Sequence, residues 1–223
     1  MKMQIVTIVL LSLIGTFTQA QNGALRGSGK TVKKNFDFKN FDTVNFDDLD
    51  GKLEIEVGKE YSISITIDDN LENLLSVENS KSELTVSLRG NRNNKMYIEN
   101  TKISVKITMP AISGIRNNGN ASLTVNNISG KYLKIDNRVN GSAIINGTID
   151  KLEIKNSGNG NLDATKLIAK NAEVSSKGNG SVKVNASETL TAFASGNGNV
   201  VNTGKAKFDT NSSKSGNGRL IQP

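Results

Sequence analysis

The tripeptide Gly-Asn-Gly recurs at Gly158-Asn159-Gly160, Gly178-Asn179-Gly180, Gly196-Asn197-Gly198 and Gly216-Asn217-Gly218, in steps of 20, 18 and 20 residues. Val139-Asn140-Gly141 and Gly119-Asn120-Ala121 continue the series towards the N-terminus in steps of 19 and 20. One asparagine column results: Asn120, Asn140, Asn159, Asn179, Asn197 and Asn217. A fixed period near 20 residues restricts the chain to stacked repeats, because each repeat buries its apolar face only against its neighbours.

The residues between the markers carry a strand pattern. Three positions after each asparagine stand Leu123, Ala143, Leu162, Val182, Val200 and Leu220. Two further on stand Val125, Ile145, Ala164 and Val184, then the polar Asn202 and Gln222. Six residues before each marker come Leu133, Leu152, Ala172, Leu190 and Thr210; four before come Ile135, Ile154, Val174, Ala192 and Ser212. Ile128, Ile149, Leu167 and Ala206 suggest a third inward position. A spacing of two is the strand period. The pattern predicts an all-β fold: a right-handed parallel β-helix or solenoid, with turns about 4.8 Å apart. At that spacing the six asparagines would stack as a structural corner column and bond amide to amide. Asparagine and glycine both tolerate the left-handed backbone of sharp corners. The polar replacements at Asn202, Thr210, Ser212 and Gln222 predict a core that thins towards the C-terminus.

Residues 31–110 read as antiparallel strands that cap the repeats of 111–223 in one domain. Leu53–Val57 and Tyr61–Ile67 are joined by Gly58-Lys59-Glu60, a hairpin-like link. Asp68-Asp69-Asn70 before Leu71–Leu75 reads as a short capped helix. Leu84–Leu88 and Ile103–Met109 flank the polar stretch Arg89–Asn94, and Pro110 ends the second of them.

The start of the chain reads as a targeting signal. Met1-Lys2-Met3 precedes an apolar run from Ile5 to Phe17, and Thr18-Gln19-Ala20 supplies small residues for cleavage before Gln21. The run is too short to span a bilayer. Residues 1–20 are therefore expected to be a signal peptide, and 21–30 a flexible lead-in. Without residues 1–20 the chain holds 27 bases against 21 acids, net +6. In an exported protein such a balance fits acidic glycans or anionic membrane surfaces at least as well as nucleic acid, which is not expected as a partner; the Lys and Arg residues are scattered and read first as a solvated, mildly basic surface.

Composition removes much catalytic chemistry. The chain has no His and no Cys. No thiol nucleophile, disulfide framework, imidazole base or His/Cys metal centre can form. Gly27-Ser28-Gly29-Lys30-Thr31 matches the end of a phosphate-binding loop, but Ala24 occupies the place of its first glycine. Asp42, Asp47, Asp48 and Asp50 lack the alternating spacing of a calcium loop and read as solvated surface, with a weak calcium site the alternative. Glu153 and Glu173 fall at equivalent outward positions and are the one pair that a glycan-cleaving enzyme could use.

Taken together, Gly27-Ser28-Gly29, Phe41–Phe46, Leu53–Val57 with Tyr61–Ile65, Asp69–Leu71, Ile103–Pro110 and the serial Gly-Asn-Gly runs resemble the DUF2807 family of auto-transporter adhesin, head GIN domains. The resemblance covers residues 27–221. Where the family usually has Gly-Ser-Gly, this chain has Gly-Asn-Gly, and the first two repeats, with Ala121 and Val139, depart further. The resemblance implies a β-helical fold and carries no catalytic residue, cofactor or metal. The expected function is a non-enzymatic adhesin or binding module of a bacterial envelope: periplasmic, on the outer membrane surface or extracellular. Its partner would be a surface glycan or an envelope protein, and no membrane span would remain after signal cleavage. The alternatives are a β-helical polysaccharide-active enzyme, or an envelope-stress or assembly component that binds another protein.

Overall fold

The computed structural model describes residues 24–89, 98–138 and 140–222. The signal peptide expected over 1–20, most of the polar stretch at 89–94 and Val139 lie outside them.

The strands, in chain order, are β1 (Leu25–Arg26), β2 (Thr31–Phe36), β3 (Thr43–Leu49), β4 (Lys52–Val57), β5 (Ser62–Asp68), β6 (Leu75–Ser80), β7 (Glu83–Leu88), β8 (Ile98–Glu99) and β9 (Ser104–Met109). There follow β10 (Gly114–Gly119), β11 (Ser122–Asn137), β12 (Ala143–Asn156), β13 (Leu162–Ser176), β14 (Val182–Gly196), β15 (Val200–Asn202), β16 (Ser213–Gly216) and β17 (Leu220–Ile221). The fold is all-β and is dominated by one large mixed sheet. Among the described residues, no helix is long and apolar enough to cross a membrane.

Period-20 patterning becomes parallel pairing. β11, β12, β13 and β14 pair in sequence, each parallel to the next. Leu123 pairs with Ala143, Ala143 with Leu162, Leu162 with Val182, and Val182 with Val200. All five are buried, as are Val125, Ile145, Ala164 and Val184 two places on. Bulges between Val125 and Ile128, and between Ile144 and Asn146, let each long strand bend while staying paired.

The same columns run on into the N-terminal strands. Leu53 of β4 lies beside Leu123, and Val105 of β9 beside Leu53. Val44 of β3 lies beside Ile115 of β10, which lies beside Ile135. One apolar core therefore serves both halves.

The pairing of these N-terminal strands departs from the antiparallel expectation. Antiparallel pairs are β2 with β5, β5 with β9, and β6 with β7. β3 runs parallel to β7 and β10, and β4 runs parallel to β9 and β11. β4 and β5 are not a hairpin, because β9 lies between them. Their link wraps over the end of β9, where Gly58 (φ 86°) donates its N–H to the Met109 carbonyl at 2.9 Å. Alternating polar and apolar residues fix which face is buried but not which strand lies alongside.

Residues 69–74 form a short 3₁₀ helix, and Asp68 does not cap it. The fully buried Asp68 carboxylate instead accepts N–H groups from Gly29 (2.8 Å) and Lys102 (2.5 Å). Ser28 donates its hydroxyl to Asp69 and its N–H to Asn70, and β1 pairs with β8. From Ala24 onwards the expected lead-in is thus bonded to the body. Gly27-Ser28-Gly29 faces carboxylates, the opposite of a phosphate cradle.

The C-terminal end corrects one column. Phe208, not Thr210, bridges to Leu190, and Thr210 is exposed. Asp209 makes the difference: it holds a tight turn by accepting from the Asn211 N–H (3.1 Å) and the Ser212 hydroxyl (2.9 Å). Asn202 is fully buried beneath Val184. Its carbonyl oxygen accepts from Ala186 (2.9 Å) and Gly204 (3.1 Å), and its amide donates to the Ala206 carbonyl (2.6 Å).

Candidate ligand-binding face

On β11 the inward residues Leu133, Ile135 and Asn137 alternate with the outward Tyr132, Lys134 and Asp136. Parallel pairing then places like positions of successive repeats side by side. Lys134 lies between Gly114 and Glu153; Asp136 lies between Arg116 and Lys155. Gly114 matters because it has no side chain: a Cβ there would come 2.8 Å from Thr43 Oγ1. The missing side chain lets Thr43 pack against the β10 backbone at the head of a shallow depression that runs along β10–β13.

Five cations line this depression: Arg116, Lys134, Arg138, Lys155 and Lys177. Asp136 is the carboxylate set among them in the lining. Arg138 grips Asp136 in a fork, with Nε at 3.0 Å and Nη2 at 2.8 Å. Arg116 pairs with Glu83 at the rim.

Glu153 organises the centre. It accepts the Tyr132 hydroxyl at 2.7 Å and lies 2.9 Å from Lys134 Nζ and 3.4 Å from Lys155 Nζ. The hydrogen bonds from Lys134 and then Tyr132 hold its carboxyl down at about 2. The same contacts push the Lys134 ammonium and the Tyr132 phenol up, the bond to Glu153 being the leading cause for each. The cluster is therefore fixed in one charge state near neutral pH, with the Tyr132 ring, 39% exposed, held in place.

Glu173 does pair in register with Glu153, but it is exposed, while Glu153 is committed to the two lysines and the tyrosine. The two carboxylates do not converge on a cleft. Asp42 accepts from the Thr43 hydroxyl at 3.3 Å, and Asp47 accepts from the Asn118 amide at 2.8 Å. Among the described residues, no group of three or more His, Cys, Asp or Glu is placed to hold a metal ion.

The asparagine column is an exposed ladder two residues along the chain from Arg138, Ser157 and Lys177. Each amide donates to the preceding asparagine's oxygen: Asn140 to Asn120, Asn159 to Asn140, Asn179 to Asn159, Asn197 to Asn179 and Asn217 to Asn197, at 2.7–3.0 Å. None of the six has a positive φ. The neighbouring glycines are needed for a different reason. A Cβ on Gly160 or Gly180 would collide with the carbonyl oxygen of Gly141 or Gly160 in the preceding repeat.

A second ladder was missed in the sequence. Asn117, Asn137, Asn156 and Ser176 stack in register, all buried. Asn137 donates to Asn156 at 2.7 Å and Asn117 to Asn137 at 3.4 Å. The signal was there, three positions before each column asparagine, but polar residues in a strand pattern read as outward.

The fold and face define an all-β protein of stacked parallel repeats that displays a long charged surface. The chain belongs to the DUF2807 family, described as "Putative auto-transporter adhesin, head GIN domain", whose model matches residues 40–206. No curated protein matches it. Among solved structures it is similar to a "putative adhesin" from Bacteroides fragilis, with 22% identity, a TM-score of 0.70, and coverage of 90% of this chain and 100% of that one. A "putative adhesin" from Parabacteroides merdae follows, with 20% identity, a TM-score of 0.54, and coverage of 89% and 98%. A "putative lipid binding protein" from Parabacteroides distasonis has 19% identity, a TM-score of 0.51 and the same coverage. At these identities the likeness is one of fold.

Proposed function

We propose that this chain is an exported, non-enzymatic binding module of a bacterial cell envelope, an adhesin, wound as a right-handed parallel β-solenoid. The depression along β10–β13 carries the reading: five cations and a pinned tyrosine on an open face, with no convergent acid–base pair. Family membership and the named relatives support the adhesin reading. The in-register parallel pairing of β11–β14 supports the solenoid. The basic start, apolar run and small residues of 1–20 support export, with the mature chain beginning at Gln21.

The test is binding of the purified mature protein to intact cells, envelope extracts and a glycan array at physiological salt. Saturable binding without change to the bound glycan is expected. Absence of binding on every surface would remove the adhesin reading, and release of cleaved oligosaccharides would replace it with an enzyme.

A further inference from the structure

We propose that the depression along β10–β13 is a binding track for a linear polysaccharide bearing carboxylates along its length. The assignment rests on the adhesin reading and adds the ligand's chemistry and the residues that meet it.

Charge comes first. Five cations face three carboxylates there: Asp136 in the lining, Glu153 at the floor and Glu83 at the rim. Lys134 and Lys155 share a single partner, Glu153, which lies at the floor with its side chain 19% exposed. Lys177 has no ion-pair partner among the described residues. The track therefore keeps uncompensated positive charge at its surface even after the internal pairs are counted.

Spacing comes second. Arg116 and Lys155 occupy one column with Asp136 between them. Arg138 and Lys177 occupy the neighbouring column with Ser157 between them, by the backbone bonds that tie each to the repeat before it. Cations in each column are thus two repeats apart, and because the columns are staggered by one repeat the track presents a cation at every repeat, about 5 Å apart at the strand spacing. An extended chain of sugars advances by about one ring over that length. A DNA strand presents a phosphate about every 3.4 Å, which matches neither the interval nor an Asp136 set between the cations.

The remaining positions suit sugars. Ser157, Ser175 and Asp136 offer hydroxyl and carboxylate partners between the cations. Tyr132, 39% exposed, and Phe193, 40% exposed, provide flat apolar rings near opposite ends of the track. Phe193 continues the column of Arg116, Asp136, Lys155 and Ser175. The exposed aliphatic residues among the described residues that could enter a bilayer, Ile144, Ile168 and Ile221, belong to other columns.

The probe is fluorescein-labelled hyaluronan, which carries a carboxylate on alternate sugars, titrated with the purified protein and read by anisotropy. Neutral dextran, duplex DNA and phosphatidylglycerol vesicles are the comparison arms. Hyaluronan is expected to bind and to weaken with added salt. Lys155→Ala and Lys177→Ala are each expected to weaken it about tenfold. Lys183→Ala, an exposed lysine in a different column, is expected to leave it unchanged, and circular dichroism of all three should match the parent. No binding to hyaluronan, equal binding to dextran, DNA or vesicles, or indifference to both groove variants overturns the assignment. Cells bound equally well by the parent and by the Lys155→Ala/Lys177→Ala protein would overturn the track while leaving the adhesin reading intact. Loss of cell binding by the parent itself would remove both.

Discussion

Glu153 shows how one residue can fix a surface. Its carboxyl is depressed to about 2 by hydrogen bonds from Lys134 and Tyr132, against an ordinary 4.5. A depressed acid stabilises the fold above its unfolded pKa, and the effect fades as pH falls through the folded value. The melting-temperature advantage of the parent over Glu153→Gln is therefore expected to be constant from about pH 8 to 5 and to vanish between about 4.5 and 2. Thermal melts of both proteins across that range check it; a gap that persists at pH 2 would refute the ion-pair account. The two asparagine ladders make a second contrast. Asn137→Ala strips partners from buried Asn117 and Asn156 and should cost about 1–3 kcal/mol. Asn159→Ala removes bonds that water replaces and should cost no more than about 1 kcal/mol. Urea unfolding ranks the two, and the reverse order would contradict the assignment of which ladder is internal.

Between strands, glycine sets the distance of approach. Gly180 has no unusual φ, yet a Cβ there meets the backbone carbonyl of Gly160 in the repeat before it. Backbone cannot swing aside as a long side chain can. Gly180→Ala is expected to force β13 and β14 apart at that corner and lower the urea midpoint. Asn179→Ala, next to it, should have a far smaller effect. Hydrogen exchange should show lost protection beginning at the Val182 N–H, which bonds to the Asn199 carbonyl. An alanine variant as stable as the parent would mean that the corners are not tightly stacked.

Over the whole molecule, shared columns predict a single cooperative unit. Leu162→Asp or Val182→Asp places a carboxylate in a fully buried apolar stack. Because the column from Val105 through Leu53 and Leu123 runs into the same stack, either change should unfold residues on both sides of Pro110 together. Lys183→Ala, pointing outward between Val182 and Val184, should leave the far-UV spectrum and melting temperature unchanged. Limited proteolysis that spares an intact 31–110 fragment from Leu162→Asp would show two separate cores instead.

Much of this was legible in the chain itself. The period put Leu123, Ala143, Leu162, Val182 and Val200 in one column and six asparagines in another, because a repeat of constant length can stack only by bringing equal positions together. Three things were not legible. β9 entered between β4 and β5, since alternation specifies a face and not a neighbour. Asn117, Asn137 and Asn156 turned inward, since an amide is tolerated in a core once an identical amide lies next to it. The binding face is likewise a product of stacking: Arg116, Lys134, Arg138, Lys155 and Lys177 are scattered lysines and arginines in the sequence. Local patterning records which residues must avoid water, and that determined the repeats and their core. Which charged side chains share a surface depends on residues some twenty positions apart becoming neighbours, and only the folded stack decided that.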